Sequence, residues 1–307
     1  MHDASSPLEV AVGDLRLRSP LLTASGTFNL KTDLTGVLDV RGLGGIVTKT
    51  VTRKPRPGNP PPRIAEVPGG LLNSIGLENE GLEGFRAREL PRFAAAGVPL
   101  IVSIGGDDAG EFAELAAAFG GRPEVAAVEI NVSCPNVDRG TAAFAARPAA
   151  MARVVQACRD ATRARLWVKL SPESPDLWAF ARAAEEAGAS ALTVANSHVG
   201  LAVDWRRRRP VLGRGAAGYT GPGIKPLTLR LVQTVAGATR LPVVGAGGVE
   251  SADDVMDYLV AGASAVEVGT AYLRHPGVFA DITAGLERFV QEEGIGRLQD
   301  WVGTLAS

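Results

Sequence analysis

Residues 242–269 read PVVGAGGVESADDVMDYLVAGASAVEVG, and this stretch determines which fold the sequence predicts. It begins with an apolar run at residues 242–245 and ends with a second one at residues 265–269. Between them, Ser251 and Asp254 have the spacing of a helix N-terminus, with serine as the cap and an acid at the third helical position. We therefore predict a β-strand, a helix and a second, parallel β-strand.

The same unit recurs along the chain. Strand-like runs fall at residues 21–25, 45–50, 99–104, 126–132, 166–170, 191–195, 242–245 and 265–269. Alanine-rich stretches with apolar residues every three or four positions separate them, as expected of helices that pack on a parallel sheet. An open doubly wound sheet is an alternative, but eight repeats in 307 residues favour a (β/α)8 TIM barrel. We expect residues 1–307 to form one domain, with a β-hairpin at residues 8–18 closing the bottom of the barrel.

Composition excludes several classes of function. The net charge is −1, which gives no electrostatic case for binding nucleic acid or an anionic membrane. No apolar run is long enough to span a membrane, and the first residues lack the features of a signal peptide. The chain has 2 cysteines, Cys134 and Cys158, too few for a disulfide framework, which suits a reducing cytoplasm. No metal site is predicted.

Two connections are unusually long, at residues 52–74 and 198–223. The first is rich in proline and glycine, and the second contains four consecutive arginines at residues 206–209. Loops of this length in a barrel are typically functional or disordered. We interpret the arginine run as a solvated loop face rather than an anion site. Residues 213–218 match G-x-G-x-x-G, but no strand and helix frame them, so we reject a dinucleotide-binding motif.

Polar residues and glycines follow the carboxyl ends of the predicted strands. Barrel enzymes keep their active sites at this face, and glycines after strands seven and eight usually bind phosphate. The residues at these strand ends are Ser25, Lys49, Ser103, Asn131, Cys134, Lys169, Asn196, Ser197, Gly247, Gly248, Gly269 and Thr270. A buried cysteine is usually a small hydrophobic group, but Asn131 before Cys134 and Pro135-Asn136 after it favour a thiol presented to a ligand.

The motifs together resemble class 1 dihydroorotate dehydrogenase over essentially the whole chain. The segments that carry the resemblance are Asn131-Val132-Ser133-Cys134-Pro135-Asn136, Lys49-Thr50, Arg56-Pro57-Gly58-Asn59-Pro60-Pro61-Pro62-Arg63, Asn73-Ser74-Ile75-Gly76-Leu77 and Gly221-Pro222-Gly223-Ile224-Lys225-Pro226. The proline-rich stretch, residues 73–77 and the cysteine point to subclass 1B, the flavin subunit that works with an electron-transfer partner.

The resemblance implies an FMN site, a substrate site and a catalytic base. FMN would contact Ser25, Lys49, Thr50, Ser103, Asn131, Lys169, Ala195, Gly221, Gly247, Gly248, Gly269 and Thr270. Dihydroorotate would contact Lys49, Asn73, Ser74, Ile75, Gly76, Leu77, Asn131, Asn196 and Ser197. Cys134 would take a proton from C5 of dihydroorotate while hydride leaves C6 for the flavin, and residues 135–140 would close over the substrate.

The resemblance also implies partners and shows one departure. Members of subclass 1B form homodimers and pass electrons to a subunit that carries FAD and a [2Fe–2S] cluster, and then to NAD⁺. Two cysteines cannot hold that cluster, so it would lie in another polypeptide. The departure is Ser103, because the family usually has asparagine at that position. Serine is shorter, so its contact with FMN would be lost or bridged by water.

Four alternatives remain open. A flavin enzyme of dihydrouracil or dihydrothymine shares the barrel and the cysteine but usually has histidine where this chain has Asn136. A subclass 1A enzyme would use fumarate as its oxidant. A flavin-free lyase or aldolase could use Lys169 as a Schiff-base amine. A non-catalytic scaffold would leave the polar strand ends without a common ligand.

Overall fold

Eight parallel strands form a closed barrel in the computed structural model, which describes residues 6–28, 39–133 and 141–306. The strands in chain order are β1 Val10–Val12, β2 Leu15–Leu17, β3 Leu21–Thr23, β4 Gly45–Val47, β5 Ile64–Val67, β6 Gly70–Asn73, β7 Leu100–Ile104, β8 Ala127–Asn131, β9 Leu166–Lys169, β10 Ala191–Val194, β11 His198–Gly200, β12 Val203–Asp204, β13 Arg209–Pro210, β14 Ala217–Thr220, β15 Val243–Ala246 and β16 Ala263–Val268. The barrel consists of β3, β4, β7, β8, β9, β10, β15 and β16 in that order around the circle. The predicted barrel is confirmed.

Helices connect the barrel strands on the outside. They are α1 Gly81–Gly84, α2 Leu90–Ala95, α3 Ala109–Gly120, α4 Thr141–Ala146, α5 Pro148–Ala161, α6 Leu177–Glu186, α7 Lys225–Ala236, α8 Ala252–Val260, α9 Thr270–Arg274 and α10 Val278–Glu292, with a π-helical segment Phe85–Glu89 between α1 and α2. Short 3₁₀ turns occur at Val40–Gly42, Pro222–Ile224 and Leu298–Trp301. No helix in the described parts of the chain is long and apolar enough to cross a membrane.

Side-chain caps fix where several of these helices begin. Asp108 accepts a hydrogen bond from the Glu111 amide, and Asp176 accepts one from the Ala179 amide. The predicted start of α8 is confirmed: Ser251 and Asp254 form a reciprocal capping box. Each such cap stabilises its helix by about 1 kcal/mol, because it satisfies an amide that has no partner within the helix.

The N-terminal hairpin lies at the bottom of the barrel, as predicted. Strands β1 and β2 pair antiparallel, and Asp14 in their turn receives two 2.7 Å bonds from Arg165, the residue just before β9. A Cβ on Gly13 would lie 3.8 Å from atoms of Ser190 and Pro242, which precede β10 and β15. These contacts all involve the amino ends of strands, so the opposite face remains for the site.

A second sheet lies over the other end of the barrel and was not predicted. The two long connections contain β5, β6, β11 and β14, which pair in the order β11, β14, β6, β5; we call this the mouth sheet. The 198–223 connection also contains the β12–β13 pair. Both connections therefore contain regular β-structure and are not irregular loops throughout. The arginine run at residues 206–209 is exposed, as expected for a solvated face.

Candidate active site

A cavity of about 270 Å³ opens at the carboxyl ends of the barrel strands, under the mouth sheet. That size suits a small-molecule ligand rather than a single ion. Its wall includes most of the residues that the sequence singled out, which are Ser25, Lys49, Thr50, Asn73, Ile75, Gly76, Leu77, Asn131, Lys169, Ala195, Asn196, Ser197, Gly221, Gly247, Gly248, Gly269 and Thr270. The structure therefore brings residues from both ends of the chain to one place.

Two predicted contact residues, Ser103 and Ser74, do not reach the cavity wall. Ser103 is fully buried in β7, where its hydroxyl lies 3.1 Å from that of Thr50. Ser74 is also buried, and its hydroxyl accepts a 2.9 Å hydrogen bond from the side-chain amide of Asn59. Ser103 thus supports Thr50, which lines the cavity, and the hydroxyl of Ser74 is engaged by Asn59, so direct contact with a ligand is not what the geometry of either serine favours.

A chain of hydrogen bonds crosses the floor of the cavity. Asn131 donates to the Thr50 hydroxyl at 3.0 Å, and the Thr50 hydroxyl lies 3.3 Å from that of Ser25. On the other side, Asn196 Nδ2 donates to the side-chain oxygen Oδ1 of Asn131 at 3.4 Å and to the Ser133 hydroxyl at 2.9 Å. The mutual bonding fixes the orientation of these amides and hydroxyls, so their remaining donors and acceptors are preorganised for a polar planar ligand.

Lys169 lies at the end of β9 with its ammonium group among acids. Its Nζ is 2.6 Å from Glu267 Oε2 and 3.9 Å from Glu129 Oε2. Burial by itself would lower the pKa of Lys169, but the charges of Glu129 and Glu267 and the bond to Glu267 together hold it above the usual value. An amine that forms a Schiff base must first lose its proton. The geometry therefore disfavours the aldolase alternative.

Glycines form a tight cradle at the end of the cavity near β15 and β16. A Cβ on Gly221 would lie 2.6 Å from the Cα of Gly70, and a Cβ on Gly248 would lie 2.8 Å from the Gly221 carbonyl oxygen. Both have positive φ, of 114° and 72°, which L side chains rarely adopt. Only bare backbone fits here, so main-chain N–H groups can approach an anionic group closely.

A charged clamp holds the two cradle loops together. Lys225, which begins α7, forms ion pairs with Asp254, the capping-box acid of α8, and with Asp257 at 2.7 Å. Since Lys225 follows the turn at residues 221–224 and Asp254 follows Gly247-Gly248, the pairs fix the distance between the loops. The rim beside Gly248 also carries Glu250, which lies 3.5 Å from Arg274.

The two cysteines differ in what the structure describes. Cys158 is fully buried in α5, and burial raises the pKa of its thiol to about 12, against a smaller opposing effect of Arg159. A thiol in that environment is not a proton acceptor near neutral pH. Cys134 and residues 135–140 lie outside the described residues, so the predicted base and loop stay predictions. Ser133, immediately before Cys134, is bonded to Asn196 at the cavity floor.

Sequence reasoning missed Glu129 and Glu267, although the sequence contains a signal for them. Both sit in the middle of apolar strands, within Ala-Val-Glu-Ile and Ala-Val-Glu-Val. A charged residue with apolar neighbours on both sides in a buried strand indicates a partner inside the protein. No cluster of metal-binding side chains occurs within residues 6–28, 39–133 and 141–306.

Comparison with known proteins identifies the family. The sequence model of the dihydroorotate dehydrogenase family matches residues 7–290. The chain belongs to the dihydroorotate dehydrogenase family. The resemblance drawn from the motifs is thereby confirmed, and with it an oxidoreductase family rather than a lyase or a scaffold.

Individual relatives of this dihydroorotate dehydrogenase family member match along nearly the whole chain. It is 45% identical over 298 residues to the "Dihydroorotate dehydrogenase B (NAD(+)), catalytic subunit" of Pelobacter propionicus, covering 97% of this chain and 98% of that one. It is 46% identical over 294 residues to the protein of the same name from Desulforudis audaxviator, covering 96% of each. A solved structure of DHODH in complex with ferulenol from Eimeria tenella superposes with a TM-score of 0.84 at 23% identity, covering 99% of this chain and 90% of that one, which shows a common fold.

Proposed function

We propose that this chain is the catalytic flavin subunit of a subclass 1B dihydroorotate dehydrogenase, which oxidises dihydroorotate to orotate in pyrimidine synthesis. The observation that carries the proposal is the joining, in one cavity, of the glycine cradle and the Thr50–Asn131–Asn196 hydrogen-bond chain. The first suits a phosphate, and the second suits flat rings with carbonyl and N–H groups. Family membership supports the same reaction.

FMN fits the residues that are present. Gly221, Gly247, Gly248, Gly269 and Thr270 would hold its phosphate through their backbone, because a Cβ at Gly221 or Gly248 would fill the space. Ser25, Lys49, Thr50, Asn131, Lys169 and Ala195 line the part of the cavity that would take its ring. When bound, FMN supplies an acceptor for hydride. The Lys169 ammonium would stabilise the negative charge that this acceptor gains.

Dihydroorotate would bind above the ring, against the mouth sheet. Lys49, Asn73, Asn131, Asn196 and Ser197 supply polar groups there, and Ile75, Gly76 and Leu77 supply an adjacent wall. The Lys49 ammonium is suited to the carboxylate of the substrate. The wall of Ile75 and Leu77 beside these polar groups would exclude water from the reacting carbons.

Cys134 is the proposed base. It would remove a proton from C5 of dihydroorotate as hydride leaves C6. A thiol has an unperturbed pKa of about 8.5, so a minor fraction is thiolate at neutral pH and more is present at mildly alkaline pH. A positioned base contributes a factor of about 10²–10⁴ to the rate. Residues 135–140 would cover the substrate during this step.

The proposal includes partners and a location. We infer a homodimer, and a separate subunit with FAD and a [2Fe–2S] cluster that passes electrons to NAD⁺. The names of the relatives, which specify a catalytic subunit and NAD(+), support this arrangement. The near-zero net charge supports the absence of nucleic-acid binding. The low cysteine count supports a cytoplasmic location. We infer that the chain acts as a single barrel domain.

The test of the proposal is flavin reduction measured on the purified protein. The protein should be yellow, and dihydroorotate should bleach it anaerobically. Cys134→Ala should keep FMN and reduce it about 10²–10⁴ times more slowly, because the base is lost. Cys158→Ala is the matched control, since that thiol is remote from the cavity wall, and should react at the parent rate.

Three results would contradict the proposal. A colourless protein that cannot be reconstituted with FMN would exclude the function. Parent-like reduction by Cys134→Ala would exclude the base. Faster turnover of dihydrouracil than of dihydroorotate would favour the dihydropyrimidine alternative, and rapid oxidation by fumarate without a partner would favour subclass 1A.

A further inference from the structure

Three charged side chains meet inside the barrel at the floor of the cavity. Lys169 comes from β9, Glu129 from β8 and Glu267 from β16, so three separate strands contribute. The Lys169 side chain is 7% exposed, and both glutamate side chains are 0% exposed. We call these three residues the interior triad. Because these side chains are shielded from water, each of their charges has to be balanced by a group nearby.

The charges of the interior triad do not balance if both acids are ionised. One ammonium group would face two carboxylates and leave a net charge of −1 in the barrel. Glu129 Oε2 accepts a 3.0 Å hydrogen bond from Thr193, and Glu267 Oε2 accepts the bond from Lys169. The second oxygen of each acid, Oε1, is buried and has no hydrogen-bond partner. An isolated buried negative charge is costly, and a proton bound between the acids removes it.

At Glu267, no further charged group within residues 6–28, 39–133 and 141–306 offsets the surplus. Among the described residues, Lys169 and Glu129 are the charged groups that act on Glu267. The residues that pair with Glu267 on the two flanking strands are Leu22 of β3 and Ala246 of β15, both apolar. Thr193 of β10 is neutral and already bonded to Glu129. Balance therefore has to come from the triad itself.

We propose that Glu129 and Glu267 share one proton, and that Glu267 is a positioning residue that fixes the Lys169 ammonium and sets the charge it presents to FMN. This rests on the proposed function only in its second part, since the proton can be detected without flavin. A side-chain hydrogen bond between Glu267 and Glu129 couples the two acids, so the proton belongs to the pair.

The electrostatics of the site agree with this reading. Burial is the largest effect on Glu267 and raises its pKa to about 8; the charge of Glu129 acts in the same direction, and Lys169 opposes both. The proton is thus retained at neutral pH. Glu267 lines the cavity as well as contacting Lys169, so a change in its protonation is felt directly by a ligand there.

A shared proton couples flavin reduction to pH. Negative charge gained beside Lys169 makes the acids hold their proton more tightly. At a pH where the proton has left the oxidised protein, reduction therefore takes up one additional proton from solvent. For a two-electron reaction, one additional proton changes the equilibrium constant tenfold per pH unit, or about 30 mV. Below that pH the coupling vanishes.

The first test measures the reduction potential of bound FMN from pH 6 to pH 10. The parent should gain an additional slope of about 30 mV per pH unit beginning in the mildly alkaline range. Glu267→Gln keeps the size and a hydrogen-bond acceptor but cannot share a proton, so that additional slope should disappear. Glu129→Gln should have the same effect. Glu186→Gln, at an exposed position on α6, is the matched control and should follow the parent.

The second test needs no flavin. Infrared spectra of the protein as purified should contain the carbonyl band of a buried protonated carboxyl at neutral pH, absent from Glu267→Gln and Glu129→Gln. No such band, or a pH profile of the variants that parallels the parent, would overturn the inference while leaving the FMN function intact. A protein that shows the band but binds no FMN would instead refute the proposed function.

Discussion

At the scale of single residues, one buried ammonium group determines what the cavity floor offers to a ligand. Lys169 is held at 2.6 Å by Glu267, and it lines the cavity beside Asn131, its neighbour across β8 and β9. A Lys ammonium is a compact point charge, whereas an Arg guanidinium is a planar fork with five donors. The compact group suits the short contact of Lys169 with one oxygen of Glu267.

The removal of this ammonium should weaken the flavin site. In Lys169→Ala the two acids lose their cation, and negative charge in the cavity is no longer stabilised. We expect FMN to bind about 10–100 times more weakly, equivalent to the 1.5–3 kcal/mol of a charged hydrogen bond, and its potential to fall. Fluorescence titration with FMN and a redox titration measure the two effects.

Lys54→Ala provides the control for this substitution. Lys54 is exposed, and its side chain is remote from the cavity wall. Its replacement should leave both FMN affinity and potential at the parent values. Equal values for Lys169→Ala and the parent would show that the ammonium has no part in flavin binding.

Residue roles are only partly readable from the sequence. Lys169 is found because a strand ends there and barrel sites lie at strand ends. Glu129 and Glu267 are missed because barrel strands are buried on both faces, so no alternation distinguishes the interior side from the helix side. Their partner is 98 residues from Glu267 in the chain, and no local pattern encodes that contact.

At the scale of elements, two loops from separate strands act as one cradle. The turn after β14 and the turn after β15 meet where Gly221 and Gly248 approach, and Lys225 ties them through Asp254 and Asp257. The shape of the glycine cradle therefore depends on the contact between these two loops.

A side chain at Gly248 should disrupt this pair. In Gly248→Ala the new Cβ would lie 2.8 Å from the Gly221 carbonyl oxygen and 2.9 Å from the Lys225 Cβ, at a φ of +72°. We expect a loss of about 1–2 kcal/mol from the backbone conformation and FMN binding at least tenfold weaker. Thermal unfolding and FMN titration measure these effects.

Gly237→Ala is the matched control, at the C-terminal end of α7. Its φ is −76°, and the nearest atom to an added Cβ is 3.5 Å away. Ala should be tolerated there, with stability unchanged or raised by about 0.4–1 kcal/mol. If Gly248→Ala bound FMN as the parent does, the cradle would not be the phosphate site.

Elements are predicted well where they are local and poorly where they are not. Gly247 and Gly248 after β15 and Gly269 after β16 are predicted correctly because strand and glycine are adjacent in the sequence. The mouth sheet is not, because its strands are only three or four residues long and its central pairing, β6 with β14, joins segments far apart in the chain. The sequence therefore predicts loops at residues 52–74 and 198–223, although short strands pair within each connection and β6–β14 joins the two.

At the scale of the whole molecule, the barrel is closed at its bottom by the hairpin. Leu17 of β2 is fully buried, and the Ala11 amide donates a 2.7 Å bond to Gln299 near the other end of the described chain. The hairpin thus covers apolar surface that the barrel strands alone would expose to water. It contributes to stability and lies away from the cavity.

Shortening a buried side chain of the hairpin should lower the stability of the protein and leave the cavity intact. Leu17→Ala should lower the free energy of unfolding by about 2–5 kcal/mol, since a buried leucine leaves a cavity. Leu15→Ala on the same strand, where the side chain is partly exposed, should cost about 1 kcal/mol or less. Denaturant unfolding measures both. A loss of FMN affinity in folded Leu17→Ala would contradict the view that the hairpin at the bottom of the barrel does not influence the cavity at its mouth.

The overall fold is the feature most fully predicted, because it depends on repetition. Each strand-and-helix unit is ambiguous alone, yet eight of them leave few arrangements in which every apolar face is buried. The hairpin is predicted by its alternation around Gly13-Asp14. The details that make the site specific depend on contacts between units, which repetition does not encode.

The mouth sheet has a consequence for how the protein is made. Asn73 on β6 bonds to Gly218 on β14, a separation of 145 residues, and six of the eight barrel strands precede β14 in the chain. Contacts of such span form late, since much chain must be ordered first. A nascent polypeptide therefore completes its rim only near the end of synthesis, and a cofactor that binds the finished rim draws the last stage of folding to completion by mass action. If FMN is that cofactor, we expect the yield of mature protein to rise with riboflavin supply, which expression at graded riboflavin concentrations would measure.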